Sequence, residues 1–129
     1  MIRMTPETAF PTLARHRYMS LTTFRKTGRP VPTPVWFAEE NGRIFVYTAP
    51  DSGKVKRIRN NARVEIAPST FSGKVLGPAL EGRARIIPAD QTEAARNALL
   101  RKYGWQMRVG LFFSSLRRRE LPAYLEITP

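Results

Sequence analysis

Short stretches of alternating apolar and polar residues, separated by turn residues, run through most of the chain. Residues 18–25 are rich in Thr and aromatic side chains, and the turn after them contains Gly28, which can adopt a positive φ. Residues 31–38 then return as a second strand. Asn41-Gly42 is a strong signal for another tight hairpin, and residues 43–48 alternate beyond it. The pattern predicts three consecutive antiparallel strands.

The rest of the pattern adds three strands. Residues 62–67, 79–87 and 121–127 read as strands, the first two flanking a Gly- and Pro-containing loop. Strands in runs with few, peripheral helices favour an antiparallel arrangement over alternating strands and helices. The sequence therefore predicts a mainly β protein, an antiparallel barrel, in one domain over residues 1–129.

Three short helices accompany these strands. Thr5-Pro6 begins the first, which runs to about residue 15, and Asp51-Ser52 caps the second, which runs to about residue 60. Asp90 and Glu93 form a capping-box pattern for the third. This last helix ends at Gly104, and its predicted apolar stripe comprises Ala95, Leu99 and Tyr103.

Prolines occupy alternate positions of the second predicted strand. Because Pro30, Pro32 and Pro34 lack an N–H group, all the missing donors belong to one edge of that strand. Such a strand belongs at a sheet margin, a bulge or a barrel seam. There a ligand or a second subunit can approach the backbone.

Charge and composition narrow the chemistry. The chain has 22 Lys and Arg against 10 Asp and Glu, a net charge of +12, which indicates a polyanionic partner such as nucleic acid, anionic lipid or a phosphorylated small molecule. It has no Cys and a single histidine, His16, so we expect no disulfide and no metal site. His16 is expected to be structural. Without a long apolar run, the chain is expected to be cytoplasmic and not to cross a membrane.

The most informative segment is the second predicted helix. Lys54, Lys56 and Arg57 fall in its first turns, where the helix dipole disfavours cations. A bound phosphate would remove the conflict, since it would gain the backbone N–H groups, the dipole and the side chains together. The alternative is a solvated basic helix face with Val55 and Ile58 turned to the core.

Three segments in this order resemble a known family. They are YMSLTTFR at residues 18–25, GRPVPTPVWF at 28–37 and DSGKVKRIRNN at 51–61. The sequence is similar to the pyridoxamine 5′-phosphate oxidase-like split-barrel proteins, and within them to the branch that uses the deazaflavin coenzyme F-420. The resemblance implies a six-stranded split barrel, a homodimer, and two cofactor sites at the subunit interface.

The resemblance also implies roles for particular residues. Lys54, with Ser52 and Arg57, would hold the cofactor phosphate, with Lys56 close by. Tyr47 is also a possible proton donor, with water as the alternative. The residues expected to line the cofactor ring are Thr33, Pro34, Val35, Trp36, Tyr47 and Thr48. Those expected to reach the partner's cofactor are Trp105, Met107 and Arg108, with dimer packing as the alternative for Trp105.

The implied activity is hydride transfer between reduced coenzyme F-420 and a conjugated acceptor such as a quinone, an enone or a tetrapyrrole. The charge of +12 suits the coenzyme's polyanionic tail. The three arginines at residues 117–119 are expected to be a solvated charge run, with an extension of the basic groove as the alternative. Two alternatives share the fold, an FMN-dependent oxidase or reductase and a non-enzymatic cofactor-binding protein. A third is a barrel that binds single-stranded nucleic acid through interleaved cations and aromatic residues, although we expect no nucleic-acid partner.

Overall fold

Seven strands and two α-helices form the fold in the part of the chain that the structure describes. The computed structural model describes Leu13, residues 16–104 and residues 122–129. The strands form one antiparallel sheet in the order β2-β1-β5-β6-β7-β4-β3. Their bounds are β1 (Tyr18–Phe24), β2 (Pro30–Val35), β3 (Phe37–Glu40), β4 (Arg43–Thr48), β5 (Arg63–Ser69), β6 (Leu80–Ile86) and β7 (Ala123–Thr128). Helix α1 (Gly53–Asn60) lies between β4 and β5, and α2 (Glu93–Tyr103) follows β6.

The two margins of the sheet belong to one stretch of chain. Only Trp36 separates β2, which pairs with β1, from β3, which pairs with β4 at the opposite margin. This bent segment therefore closes the sheet on itself. Counted as one strand, it gives the predicted six-stranded split barrel, and the mainly β prediction is confirmed.

The predicted turns and the proline-edged strand are confirmed. Gly28 has φ +89°, and Asn41 and Gly42 have φ +54° and +77°, the geometry of a tight hairpin turn. In β2 the three prolines are exposed, and the residues between them point inward and pair with β1. The outer edge of β2 thus offers carbonyl oxygens and no N–H group from its prolines.

Two apolar clusters lie on opposite faces of the sheet. The inner cluster fills the barrel with residues such as Met19, Leu21 and Phe37, and Ile58 of α1 packs into it. The outer cluster lies between α2 and the strands β3, β4 and β7. The predicted stripe of α2 is buried there, with Ala95, Leu99 and Tyr103 each at most 4% exposed.

The predicted capping box at Asp90 is wrong. The Gln91 N–H donates to the Pro88 carbonyl (2.9 Å), which closes a 3₁₀ turn and places Asp90 within it. Thr92 is the N-cap of α2, and the Arg96 N–H donates to its carbonyl oxygen. Gly104 ends the helix at φ +61°, as predicted.

Two further predictions concern the first helix and membrane-spanning segments. The first predicted helix lies outside the described residues, apart from Leu13. Within the described part of the chain, no helix has both the length and the apolar character needed to cross a membrane.

Candidate cofactor site

The N-terminus of α1 is not capped by the Ser52 side chain. Ser52 is the N-cap in extended conformation, but its side chain makes no capping hydrogen bond, and the first turn contains no acidic residue. Instead, the Thr48 hydroxyl at the end of β4 lies 3.3 Å from Ser52 Oγ and donates to it. The helix therefore begins with N–H groups that its own cap does not satisfy.

Arg57 folds back over this N-terminus. Its Nε donates to Thr23 Oγ1 on β1 at 2.6 Å. Its Nη1 lies 2.7 Å from the point that a Cβ on residue 53 would occupy, so Gly53 leaves the space that the guanidinium uses. The guanidinium thus lies beside the first turn of the helix although Arg57 belongs to its second turn.

The cations at this site lack carboxylate partners among residues 16–104 and 122–129. None of the ion pairs there includes Lys54, Lys56 or Arg57. Burial and the charge of Arg57 lower the pKa of the half-buried Lys54. Burial and the charge of Arg25 lower the pKa of Arg57. An anion among them would relieve this repulsion and accept from N–H groups that the Ser52 side chain does not cap.

A basic turn extends the positive surface. Arg25, Lys26 and Arg29 of the β1–β2 connection are all exposed, and we call them the basic turn. A cavity of about 360 Å³ separates this turn from the C-terminal end of α1. It is lined by Phe24, Arg25, Lys26, Gly28, Asn60 and Asn61.

The predicted ring-lining residues of β2 divide between its two faces. Thr33 Oγ1 donates to the Leu21 carbonyl (3.4 Å), and Val35 is 7% exposed within the inner cluster. Pro34 is exposed and faces outward, and the half-buried Trp36 marks the bend. The segment therefore offers its backbone edge, Pro34 and Trp36 to a ligand more readily than the side chain of Val35.

Trp36 belongs to an aromatic group against α2. Its ring stacks on Tyr103, with centroids 4.7 Å apart and planes at 15°, and meets Tyr47 edge-on at 6.2 Å. Burial raises the pKa of Tyr47. The role of Tyr47 as a proton donor stays a prediction.

The structure brings some predicted site residues together and separates others. Thr48 joins Ser52 at the start of α1, whereas its neighbour Tyr47 joins Trp36 on the α2 side, because successive side chains of a strand point to opposite faces. The predicted residues thus divide into a cationic end at α1 and an aromatic end at the β2–β3 bend, on opposite faces of β4. Predicted residues outside the described part of the chain are Trp105, Met107, Arg108 and the arginines at 117–119.

Sequence reasoning missed two contributors to these ends. Thr23 accepts from Arg57, and Tyr103 stacks on Trp36. The strand pattern places Thr23 on an inner face, but no local signal pairs it with a residue 34 positions away. Tyr103 was recognised only as part of an apolar stripe.

Side chains that bind metal ions are not clustered in the described part of the chain. Among the described residues, no three His, Cys, Asp or Glu side chains are grouped so that they could hold a metal ion. His16 is half-buried next to β1, and its backbone carbonyl accepts from Lys102.

Comparison with known proteins places these features in a family. The pyridoxamine 5′-phosphate oxidase family matches residues 5–129. No curated protein matches the sequence.

Solved structures share the fold at low sequence identity. The heme storage protein HutZ from Vibrio cholerae has a TM-score of 0.69 at 13% identity, covering 98% of this chain and 91% of that one. A conserved hypothetical protein from Mycobacterium tuberculosis gives 0.66 at 19%, covering 98% and 80%. A pyridoxamine 5′-phosphate oxidase-related, FMN-binding protein from Nostoc punctiforme gives 0.62 at 18%, covering 96% and 76%. With the family match over nearly the whole sequence, the chain belongs to the pyridoxamine 5′-phosphate oxidase family.

Proposed function

We propose that the protein is an oxidoreductase that binds coenzyme F-420 and transfers a hydride between it and a conjugated small molecule. The observation that carries the proposal is that the cations Lys54 and Arg57 lie beside a helix N-terminus that the Ser52 side chain does not cap, and form no ion pair with a carboxylate among the described residues. Burial and the charge of Arg57 disfavour the charged form of Lys54, and an anion between the two side chains would offset this. A phosphate ester fits this arrangement of donors.

Each end of the site has its own task in this function. Ser52, Lys54 and Arg57 bind the phosphate, with Lys56 adding positive charge at the surface. The backbone of residues 33–36, together with Tyr47 and Thr48, orients the ring. When bound, the deazaflavin supplies the hydride from its reduced C5 carbon.

Tyr47 has a further task at the aromatic end. In this proposal its hydroxyl donates a proton to the reduced substrate. The rings of Trp36 and Tyr103 beside it exclude water from that side.

The choice of F-420 over FMN rests on charge. FMN carries one phosphate, for which Lys54 and Arg57 suffice. The basic turn and its cavity add exposed cations beyond that need, and a polyanionic tail would use them. The FMN-dependent alternative gains support from the FMN-binding protein of Nostoc punctiforme, which shares the fold.

Assembly forms part of the proposal. We infer a homodimer with one cofactor at each of two interface sites, because the outer edge of β2 and the bend at Trp36 leave the site open on one side. A light-scattering mass equal to one chain at micromolar concentration would exclude the dimer.

An anaerobic titration tests the function. The purified protein is titrated with F-420, FMN and, because HutZ is a heme protein, hemin, with fluorescence or absorbance as the readout. We expect F-420 to bind most tightly. In Lys54→Ala, affinity should fall by about 1.5–3 kcal/mol, or about ten- to a hundredfold, the range of a charge-assisted hydrogen bond.

The control variant is Arg96→Ala, which removes one exposed positive charge from α2 and should bind like the wild type. Tight FMN binding with no response to F-420 would make the protein an FMN enzyme. Unchanged affinity in Lys54→Ala would remove Lys54 from the site.

Two outcomes would favour the other functions. Oligonucleotide binding that depends on salt and is not affected by added coenzyme would favour the nucleic-acid alternative. Absence of turnover with quinones, enones and tetrapyrroles would favour a cofactor carrier.

A further inference from the structure

The C-terminal end of α2 is attached to the point where β2 passes into β3. The Phe37 N–H donates to Tyr103 Oη at 3.0 Å. The same hydroxyl lies 2.9 Å from the Phe37 carbonyl oxygen and 2.6 Å from the Arg17 carbonyl oxygen. Because a hydroxyl carries one proton, it donates to one of these carbonyls at a time. One side chain thus binds the backbone of two neighbouring segments.

The backbone groups of Arg17 and Phe37 would pair with each other if the β1–β2 ladder continued. The register sets Met19 opposite Val35, so two residues further along the ladder Arg17 would lie opposite Phe37. The Tyr103 hydroxyl lies between these two residues and replaces the ladder hydrogen bonds. The chain can therefore leave β1 at Trp36 and turn toward β4 without an unpaired buried N–H.

Further contacts of Lys102 and Tyr103 hold the C-terminal end of α2 against the same two segments. Lys102 Nζ donates to the His16 carbonyl (2.7 Å) and lies 3.5 Å from the centroid of the Phe37 ring. The Tyr103 ring stacks on Trp36 at 4.7 Å. Burial raises the pKa of Tyr103 to about 12, so the hydroxyl keeps its proton over the physiological range.

We propose that Tyr103, supported by Lys102, is a positioning residue for the cofactor ring. This inference rests on the proposed function, in which residues 33–36 line the ring. That segment ends at the bend that the Tyr103 hydroxyl holds, so the hydroxyl sets the direction of its backbone edge and of Trp36. The phosphate end is independent of it, since Arg57 and Ser52 bond to Thr23 and Thr48.

The test compares the two ends of the site. Tyr103→Phe removes the hydroxyl and keeps the ring that stacks on Trp36. We expect it to weaken F-420 binding about two- to tenfold, the effect of one hydrogen bond, and to shift the absorption band of the bound ring. Displacement of the coenzyme by inorganic phosphate should give the same phosphate constant as in the wild type.

Two controls separate positioning from general stability. Tyr124→Phe removes a hydroxyl from a buried tyrosine of the same outer cluster and should leave both constants unchanged. Amide hydrogen exchange at Phe37 should quicken in Tyr103→Phe alone, because its N–H loses an acceptor. If Tyr103→Phe does not fold, Lys102→Met takes its place and should show the same selective loss.

Two results would overturn the inference. One is that the wild type and the folded variant, Tyr103→Phe or Lys102→Met, bind F-420 with equal affinity. The other is that the variant loses coenzyme binding and phosphate binding in parallel. A wild type that binds neither F-420 nor FMN would overturn the proposed function and the positioning role together. A failure seen in the variants alone leaves the proposed function standing.

Discussion

Gly53→Ala should weaken cofactor binding while leaving the fold intact. The backbone at Gly53 does not have a positive φ, so its conformation suits alanine. Its Cβ, however, would lie 2.7 Å from Nη1 of Arg57, and the guanidinium must move away. The movement pulls Arg57 from Thr23 and from the first turn of α1, where we place the phosphate.

The two effects on the free energy of unfolding partly offset each other. Losing the hydrogen bond that the charged Arg57 donates to Thr23 costs about 1.5–3 kcal/mol. Replacing glycine by alanine where the backbone conformation suits both contributes about 0.4–1 kcal/mol in the opposite direction. The free energy of unfolding should therefore fall by about 0.5–2.5 kcal/mol. Cofactor binding loses a charge-assisted contact, about 1.5–3 kcal/mol or a ten- to hundredfold rise in Kd.

The assay pairs urea unfolding with a fluorescence titration of F-420, and of FMN as the alternative coenzyme. Thr23→Ala is the matched variant, because it removes the same hydrogen bond without crowding the guanidinium. It should weaken binding less than Gly53→Ala. The double variant should lose less binding free energy than the two single variants lose in sum, since both changes act on Arg57. Wild-type affinity in Gly53→Ala would refute the placement of Arg57 at the phosphate.

Two further predictions concern stability. Glu126, 9% exposed, accepts from Arg85 at 2.9 Å and Arg43 at 3.1 Å, and Arg85 and Arg43 lower its pKa. Because the pKa of Glu126 is lowered in the folded protein, its carboxylate stabilises the fold at pH values above about 4.5, the pKa in the unfolded chain. This contribution is lost as the pH falls through the pKa of the folded protein. Glu126→Gln should therefore make the melting temperature fall less steeply at acidic pH. An unchanged acid limb in this variant would contradict the role of the carboxylate. Leu99→Ala, at a fully buried position of α2, should lower the free energy of unfolding by about 2–5 kcal/mol in a urea titration, and a loss under 1 kcal/mol would contradict the packing of α2 on the sheet.

Much of the fold follows from local signals. Gly28 and Asn41-Gly42 predicted two hairpins because their backbone conformations favour those residues, and the structure has positive φ at all three. The spacing of Pro30, Pro32 and Pro34 predicted a marginal strand because the missing N–H groups share one edge. The cationic start of α1 was predicted in the same way.

Most of the parts that could not be predicted depend on distant residues. A single strand was expected over residues 31–38, but it divides at Trp36 because the hydroxyl of Tyr103 replaces the ladder there, 66 positions from Phe37. The Asp90 pattern failed because Pro88 accepts from Gln91 and forms a 3₁₀ turn, a local competitor that the capping-box spacing does not reveal. The placement of Arg57 over Gly53 depends on Thr23 of another strand.

A crystal structure of the protein with F-420 bound tests the central claim most directly. The account predicts density for a phosphate at the start of α1, within hydrogen-bonding distance of Lys54 Nζ, the Arg57 guanidinium and Ser52. A complex in which Lys54 points into solvent and the coenzyme phosphate lies elsewhere would contradict it.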